Sequence, residues 1–325
     1  MSEQSIVKGK LSIIIPTANE WPVIAFTARA VMEELRGRVD YELIIVDNWC
    51  PELEAQGRER DRTFEYFESM MRGWPELKIL NYNGKLSHWN AKKLGVAEST
   101  GEFIQFLDAH VIPSRDAIFN QYNFYRENHQ ELNGVLHMPV TYHVMEYHKL
   151  MYKLVTDIPK GHVHYSFTGY READLPYTVP CMTTDGIMMT RELYDAMGGF
   201  PEMLGIWGGG ENFVNFTIAV MGKNVWMCAG KGMNGTLNHH GDKRGYSYNY
   251  DDLCRNRCVA AFMYGGKSFA RTTMNNYKGS PSQILRIYNQ VINDKACIAQ
   301  RAIIEAQQVM SIQEWSEKWI EKAAK

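Results

Sequence analysis

Apolar residues first gather in the run Leu11-Ser12-Ile13-Ile14-Ile15-Pro16, the pattern of a strand buried on both faces of a parallel sheet. At Thr17-Ala18-Asn19-Glu20 the run gives way to helical spacing from Trp21 to Arg36, and Gly37 stands where that helix stops. A second run, Tyr41 to Val46, ends in Asp47-Asn48. A charged helical stretch follows from Glu52 to Arg72, then a short strand at Leu77–Leu80 and a helix from His88 to Glu98. Phe103 to Leu107 is the next strand, ending in Asp108-Ala109-His110. Strand and helix alternating in this way predict an α/β domain whose sheet is mostly parallel.

In such sheets ligands gather at the carboxyl ends of the strands. Here three of those exits carry acid or amide groups: Asn19 with Glu20, Asp47 with Asn48, and Asp108 with His110. Asp108 and His110 lie two positions apart, so a strand would turn both to one side. A carboxylate beside an imidazole suits a divalent ion of the manganese kind. Neither G-x-G-x-x-G nor a P-loop follows the first strand, which disfavours the usual dinucleotide and P-loop readings.

Further on, Thr183–Thr190 reads as a strand and Glu192–Met197 as a short helix. Trp207-Gly208-Gly209-Gly210-Glu211-Asn212 then opens a helix that runs to Met221. Three glycines allow close backbone approach to a ligand, Trp207 offers a flat wall, and Glu211 starts the helix. His143, His148, His162 and His164 lie in an aromatic portion where acceptor recognition is expected.

Together these segments resemble family 2 glycosyltransferases of the GT-A fold. The motifs are Ile15–Glu20, Ile45–Asn48, Lys93–Phe103 and Leu107–His110. The Trp207–Asn212 stretch is similar to the segment shared by polypeptide N-acetylgalactosaminyltransferases and β-1,4-galactosyltransferases, with one extra glycine. The resemblance implies a GT-A domain over residues 10–250, with a nucleotide-binding half at 10–112 and a sugar and acceptor half at 113–250. A mainly helical extension fills 251–325. It implies that Thr17, Asn19, Glu20, Asp47 and Asn48 hold uridine, and that Trp207 and Gly208 flank the sugar. Asp108, His110 and either His239 or His240 would hold Mn2+ or Mg2+, with Lys243 and Arg244 on the diphosphate of a UDP-sugar. Glu211, Asp185 and Asn212 are the catalytic candidates, and the Glu-Asn pair leans towards retention of anomeric configuration.

Composition narrows the setting. The chain has 325 residues, 45% of them hydrophobic, and a net charge of −2, enough for a sizeable core and not generally basic. No run reaches the ~20 apolar residues that span a bilayer. Six cysteines lack metal or disulfide spacing, pointing to free thiols in a reducing cytosol, or in a host's cytoplasm if the chain is viral. Between Lys243 and Arg301, ten basic residues interleave with aromatics against three acids, the ingredients of a nucleic-acid groove. The expected acceptor is a hydroxyl compound, a modified base in viral DNA among the candidates. The alternatives are a nucleotidyltransferase of related fold, or a non-catalytic carbohydrate- or nucleic-acid-binding protein.

Overall fold

The computed structural model describes residues 5–142, 148–230, 235–240 and 244–323. Its first half is β1 (Val7–Thr17), α1 (Val23–Leu35), β2 (Tyr41–Asp47), α2 (Pro51–Ala55), α3 (Thr63–Met70), β3 (Leu77–Asn81), α4 (His88–Ala97) and β4 (Gly101–Phe106). There follow β5 (Val111–Pro113), α5 (Ala117–Leu132), β6 (Gly134–His137), β7 (Val140–Thr141), β8 (Leu150–Asp157) and β9 (His162–Gly169). Next come β10 (Tyr177–Val179), β11 (Met188–Thr190), α6 (Arg191–Ala196), α7 (Gly210–Val220), β12 (Asn224–Met227) and β13 (Leu237–His239). Four helices close the chain: α8 (Tyr250–Met274), α9 (Pro281–Ile292), α10 (Lys295–Gln307) and α11 (Ile312–Ala323).

β1 is an interior strand because Leu11–Thr17 is buried throughout and, apart from two hydroxyls, apolar. It pairs parallel with β2 and with β4 in an eight-stranded sheet ordered β10-β12-β6-β11-β4-β1-β2-β3. Successive side chains alternate between two cores, as the pleat requires. Ile13 and Ile15 pack with α1 and α5, whereas Ile14 packs with Trp89 of α4, Phe213 of α7 and Phe262 of α8. The C-terminal helices thus share a core with the sheet. Register places the strand ends side by side, Thr17 opposite Asp47 and Asp47 opposite Asn81.

The charged stretch expected as one helix from Glu52 to Arg72 is two, α2 and α3. Gly57 takes a φ of 69° after α2, and the Asp61 carboxylate accepts the Thr63 N–H at 2.9 Å before α3. Thr183–Thr190 is strand only at Met188–Thr190, because Gly186 turns at φ 80°. A smaller five-stranded sheet, β5-β13-β7-β8-β9, spans the carboxyl end of the large one. Its β13 pairs antiparallel with β5, His239 opposite Val111. That pairing joins segments distant in sequence and brings His239 to the strand exit carrying Asp108.

One buried charge ties the sheet's far edge. Glu42 of β2 accepts from Ser12 Oγ at 2.8 Å, Thr100 N at 2.6 Å and Lys78 Nζ at 2.6 Å. Burial alone would raise its carboxyl, but Lys78 and these donors lower it from about 4.5 to about 2. A depressed carboxylate contributes stability above its unfolded pKa and loses it as pH falls through the folded one. Glu42→Gln should therefore cost about 2 kcal/mol near neutrality, discounted from the full shift because Lys78 is partly exposed. The gap to the parent should close between pH 4.5 and 2, read by urea unfolding. A gap constant from pH 7 to 3 would place the loss in packing instead.

Candidate active site

A cavity of about 360 Å³ opens over the carboxyl ends of β1 and β4. Thr17, Glu20 and Asn48 line one side, Asp108 and His110 the floor, and Trp207, Gly208 and Glu211 the opposite wall. Tyr142, just after β7, and Tyr152, Tyr165 and Phe167 of β8 and β9 close it with aromatic faces.

At and just beneath the floor, ligand atoms of Asp108, Asp185 and His239 all lie within 4.8 Å of one another. Antiparallel pairing of β11 with β4 carries Asp185 there. Asp185 is fully buried, its Oδ1 accepting from Asp108 N at 2.8 Å and its Oδ2 lying 3.0 Å from His239 Nε2. Two carboxylates and an imidazole fit a divalent cation of the Mn2+ type. Lys92, also fully buried, places Nζ 3.6 Å from Asp108 Oδ1. Burial would raise the Asp108 carboxyl, but Lys92, His110 and His239 hold it well below its ordinary value.

His110 places Nδ1 2.7 Å from Glu20 Oε2. Burial would lower its imidazole, yet Glu20 raises it to about 9. A carboxylate holding one ring nitrogen leaves the other for a metal, a common outer-shell arrangement. Glu20, expected at the uridine, is engaged by His110. Of the two neighbouring histidines, His239 reaches the acidic pair, whereas His240 gives its backbone N–H to His110 O at 2.8 Å.

Several expected residues have other work. Asp47 is 1% exposed, and Arg60 donates to its Oδ2 from Nε at 3.0 Å. Asn19, in a left-handed turn at φ 55°, donates from Nδ2 to Glu59 O. Asn48 holds the next loop, taking Ser87 N–H on Oδ1 at 2.8 Å. Asp185, a catalytic candidate, has its two oxygens on Asp108 N–H and His239 Nε2. Asn212 is buried, donating to Val163 O and accepting from Arg257 Nη1 at 2.6 Å. Arg244 lines the cavity and donates to Tyr246 OH at 2.8 Å. Lys243 and His143 lie outside the described residues. His148 is exposed.

The three glycines pack against protein more than ligand. A Cβ on Gly209 would meet the Asn256 backbone at 2.7 Å, and one on Gly210 would meet the Trp89 ring at 1.9 Å. Asn256 of α8 donates to Trp207 O at 2.8 Å and Gly208 O at 2.9 Å, and so fixes the wall. Trp207 stacks on Tyr248, ring centroids 4.4 Å apart. Lys92 and Asn256 escaped the sequence reading, and Arg257 entered it only as one basic residue of the stretch after Lys243, because each lies in a helix whose pattern shows only a polar residue.

The basic, aromatic stretch after Lys243 does not form one groove. Phe262 and Tyr264 are in the core, Arg257 turns inward, and Arg286 pairs with Asp251 at 2.9 Å.

A mostly parallel sheet between helical layers, with a ligand cavity and an acid–histidine group at its strand exits, is the GT-A class of fold. GalNAc-T7, solved with UDP, GalNAc and Mn2+, matches at TM-score 0.69 and 13% identity over 97% of this chain and 56% of that one. Staphylococcus aureus TarS 1–349 in complex with UDP-GlcNAc matches at TM-score 0.55 and 11% identity, covering 92% and 89%. Residues 12–198 match glycosyl transferase family 2, and the chain belongs to that family. Polypeptide N-acetylgalactosaminyltransferase 10 of Rattus norvegicus is 22% identical over 246 residues, 68% of this chain. The chain spans about a third, 35%, of that relative's length. Among the described residues no helix is long and apolar enough to cross a membrane.

Proposed function

We propose that this chain is a metal-dependent glycosyltransferase that moves a sugar from a UDP-sugar to a hydroxyl acceptor. The observation that carries the reading is the Asp108, Asp185 and His239 group, of which Asp108 and His239 line the strand-exit cavity. These residues would hold the cation, with His110 beside them. When bound, the cation supplies neutralisation of charge on the departing diphosphate. Thr17, whose buried Oγ1 has no partner, faces the nucleotide, and Arg244 suits a phosphate fork. Six buried free cysteines fit work in a reducing cytosol.

In the transfer the acceptor oxygen bonds to the anomeric carbon, and that carbon's bond to the β-phosphate oxygen breaks. UDP leaves with the electron pair. In a retaining reaction the hydroxyl proton passes to the leaving phosphate oxygen, the course that the Glu211-Asn212 pair favours by resemblance. Inversion is the second reading, because Glu211 Oε2 is buried without a hydrogen-bond partner. An acceptor hydroxyl would satisfy that oxygen and hand it the proton. The anomer of the product, read by NMR, decides between them. A modified DNA base as acceptor loses support with the groove that does not form.

Incubation with UDP-sugars and Mn2+ should release UDP, and chelation should stop it. Pyrophosphate from UTP and sugar phosphate would identify a nucleotidyltransferase instead, and donor binding without either product a binding protein. Glu211→Gln should reduce transfer by about 10²-fold while UDP and Mn2+ still bind. Transfer at the parent rate would remove Glu211 from the reaction.

A further inference from the structure

Beside the donor cavity lies a second one of about 220 Å³, and Leu253 and Arg257 line both. Its other walls include His162 and His164 from β9, Asn212 from α7, and Asn276 and Tyr277 beyond α8. Among the described residues no carboxylate lines it. Whole-ligand pockets usually run from about 300 to 1,000 Å³, so this one takes part of a molecule.

Arg257 is the cation of this cavity, and the carboxylate that acts on it, Glu211, borders the donor cavity instead. Lys92 faces Asp108 and Arg60 faces Asp47, but Arg257 makes no ion pair with a described residue. Its Nη1 donates to the neutral Asn212 Oδ1 at 2.6 Å. A guanidinium has five donors, and the rest of the fork is free for a ligand. With no described acid in ion-pair range, this partly buried cation still has room for an anion. His162 and His164, two apart on one strand face, stand with rings 5.1 Å apart, and their imidazoles make no hydrogen bond to the described residues. Donors thus come from α8 on one side and β9 on the other, which suits a tetrahedral anion better than a planar one. Asn212 borders this cavity while the preceding Glu211 borders the donor cavity. An anion seated here leaves the rest of its molecule pointing towards Glu211.

We propose that this second cavity is the acceptor subsite, resting on the transferase reading above. It selects hydroxyl acceptors that carry a phosphate group, held by Arg257 with His162 and His164.

With UDP and Mn2+ saturating the donor cavity, glycerol phosphate is the probe and glycerol its neutral control. The phosphate should bind at least about 10-fold more tightly, as expected for charge-assisted hydrogen bonds. Glycerophosphoglycerol separates a diester source from a monoester one, and tighter binding of either supports the subsite. Arg257→Gln, with its fold checked by circular dichroism, should shrink the preference below about 3-fold. If that variant does not fold, the double variant His162→Ala, His164→Ala should weaken glycerol phosphate at least about 3-fold. Equal binding of glycerol and its phosphate, or an unchanged preference in the folded variant tested, overturns the proposal. So does oligothymidylate binding more tightly than both phosphates, which would assign the cavity to nucleic acid. Failure of UDP and Mn2+ to bind while the phosphate preference persists would sink the transferase reading alone.

Discussion

Asp108→Ala is expected to lower UDP release from a UDP-sugar by at least about 10³-fold, the scale of removing a group that stabilises transition-state charge. Asp108 belongs to the one group of acids and histidine that closes on the cavity floor among the described residues. It also faces Lys92, whose ammonium is 0% exposed and lies 3.6 Å away. Removing the carboxylate leaves that cation buried and unmatched, at about 3–5 kcal/mol. Activity and stability should therefore fall together, from separate causes. Adding Lys92→Met should restore the urea midpoint without restoring turnover. Turnover at the parent level in Asp108→Ala would end the metal argument. An unchanged urea midpoint would mean that Lys92 does not depend on Asp108.

The parallel half of the sheet was legible because its strands are buried on both faces. Continuous apolar runs such as Leu11–Pro16 have no other comfortable place. Their exits were legible for the same reason, since polar residues crowd where burial ends. What those exits do was less so. Asp47 and Glu20 read as nucleotide contacts, yet their carboxylates meet Arg60 and His110. A sequence gives the acid but not the cation folded onto it. Asp185 shows the same limit, because only the β11–β4 pairing sets it beside Asp108.

The smaller sheet was nearly invisible. β5, β7 and β13 have three residues or fewer, too short to show a period of two. Their partners come from remote parts of the chain. His239 was nonetheless a candidate by resemblance, and the β13–β5 pairing supplies the physical reason it reaches the site. The basic stretch misled because its aromatics alternate with charges in sequence while α8 winds them to different faces. Phe262 and Tyr264 face the core, and Arg257 faces the cavities.

Gly209→Ala should be among the most damaging single-methyl changes at the site. Gly209 caps α7 at φ 79°, where a residue with a Cβ costs about 1–2 kcal/mol. The added carbon would also lie 2.7 Å from the Asn256 carbonyl carbon and 2.9 Å from Arg257 N. Those atoms are helix backbone and cannot swing aside, so overpacking adds about 1–3 kcal/mol. A total of about 2–5 kcal/mol follows from the two. Relief by shifting α8 would move Asn256, which holds Trp207 and Gly208, and would displace Glu211 two residues on. Transfer should then fall at least about 10-fold even in the folded fraction, since small misplacements of reacting groups are costly. Gly37→Ala is the control, with φ 71° and nothing within 4 Å of its Cβ. It should lose about 1 kcal/mol through backbone strain alone and keep its activity. Equal losses of stability in the two variants, read by urea unfolding, would show that the glycine run is there for its φ angles and not for the contact with α8.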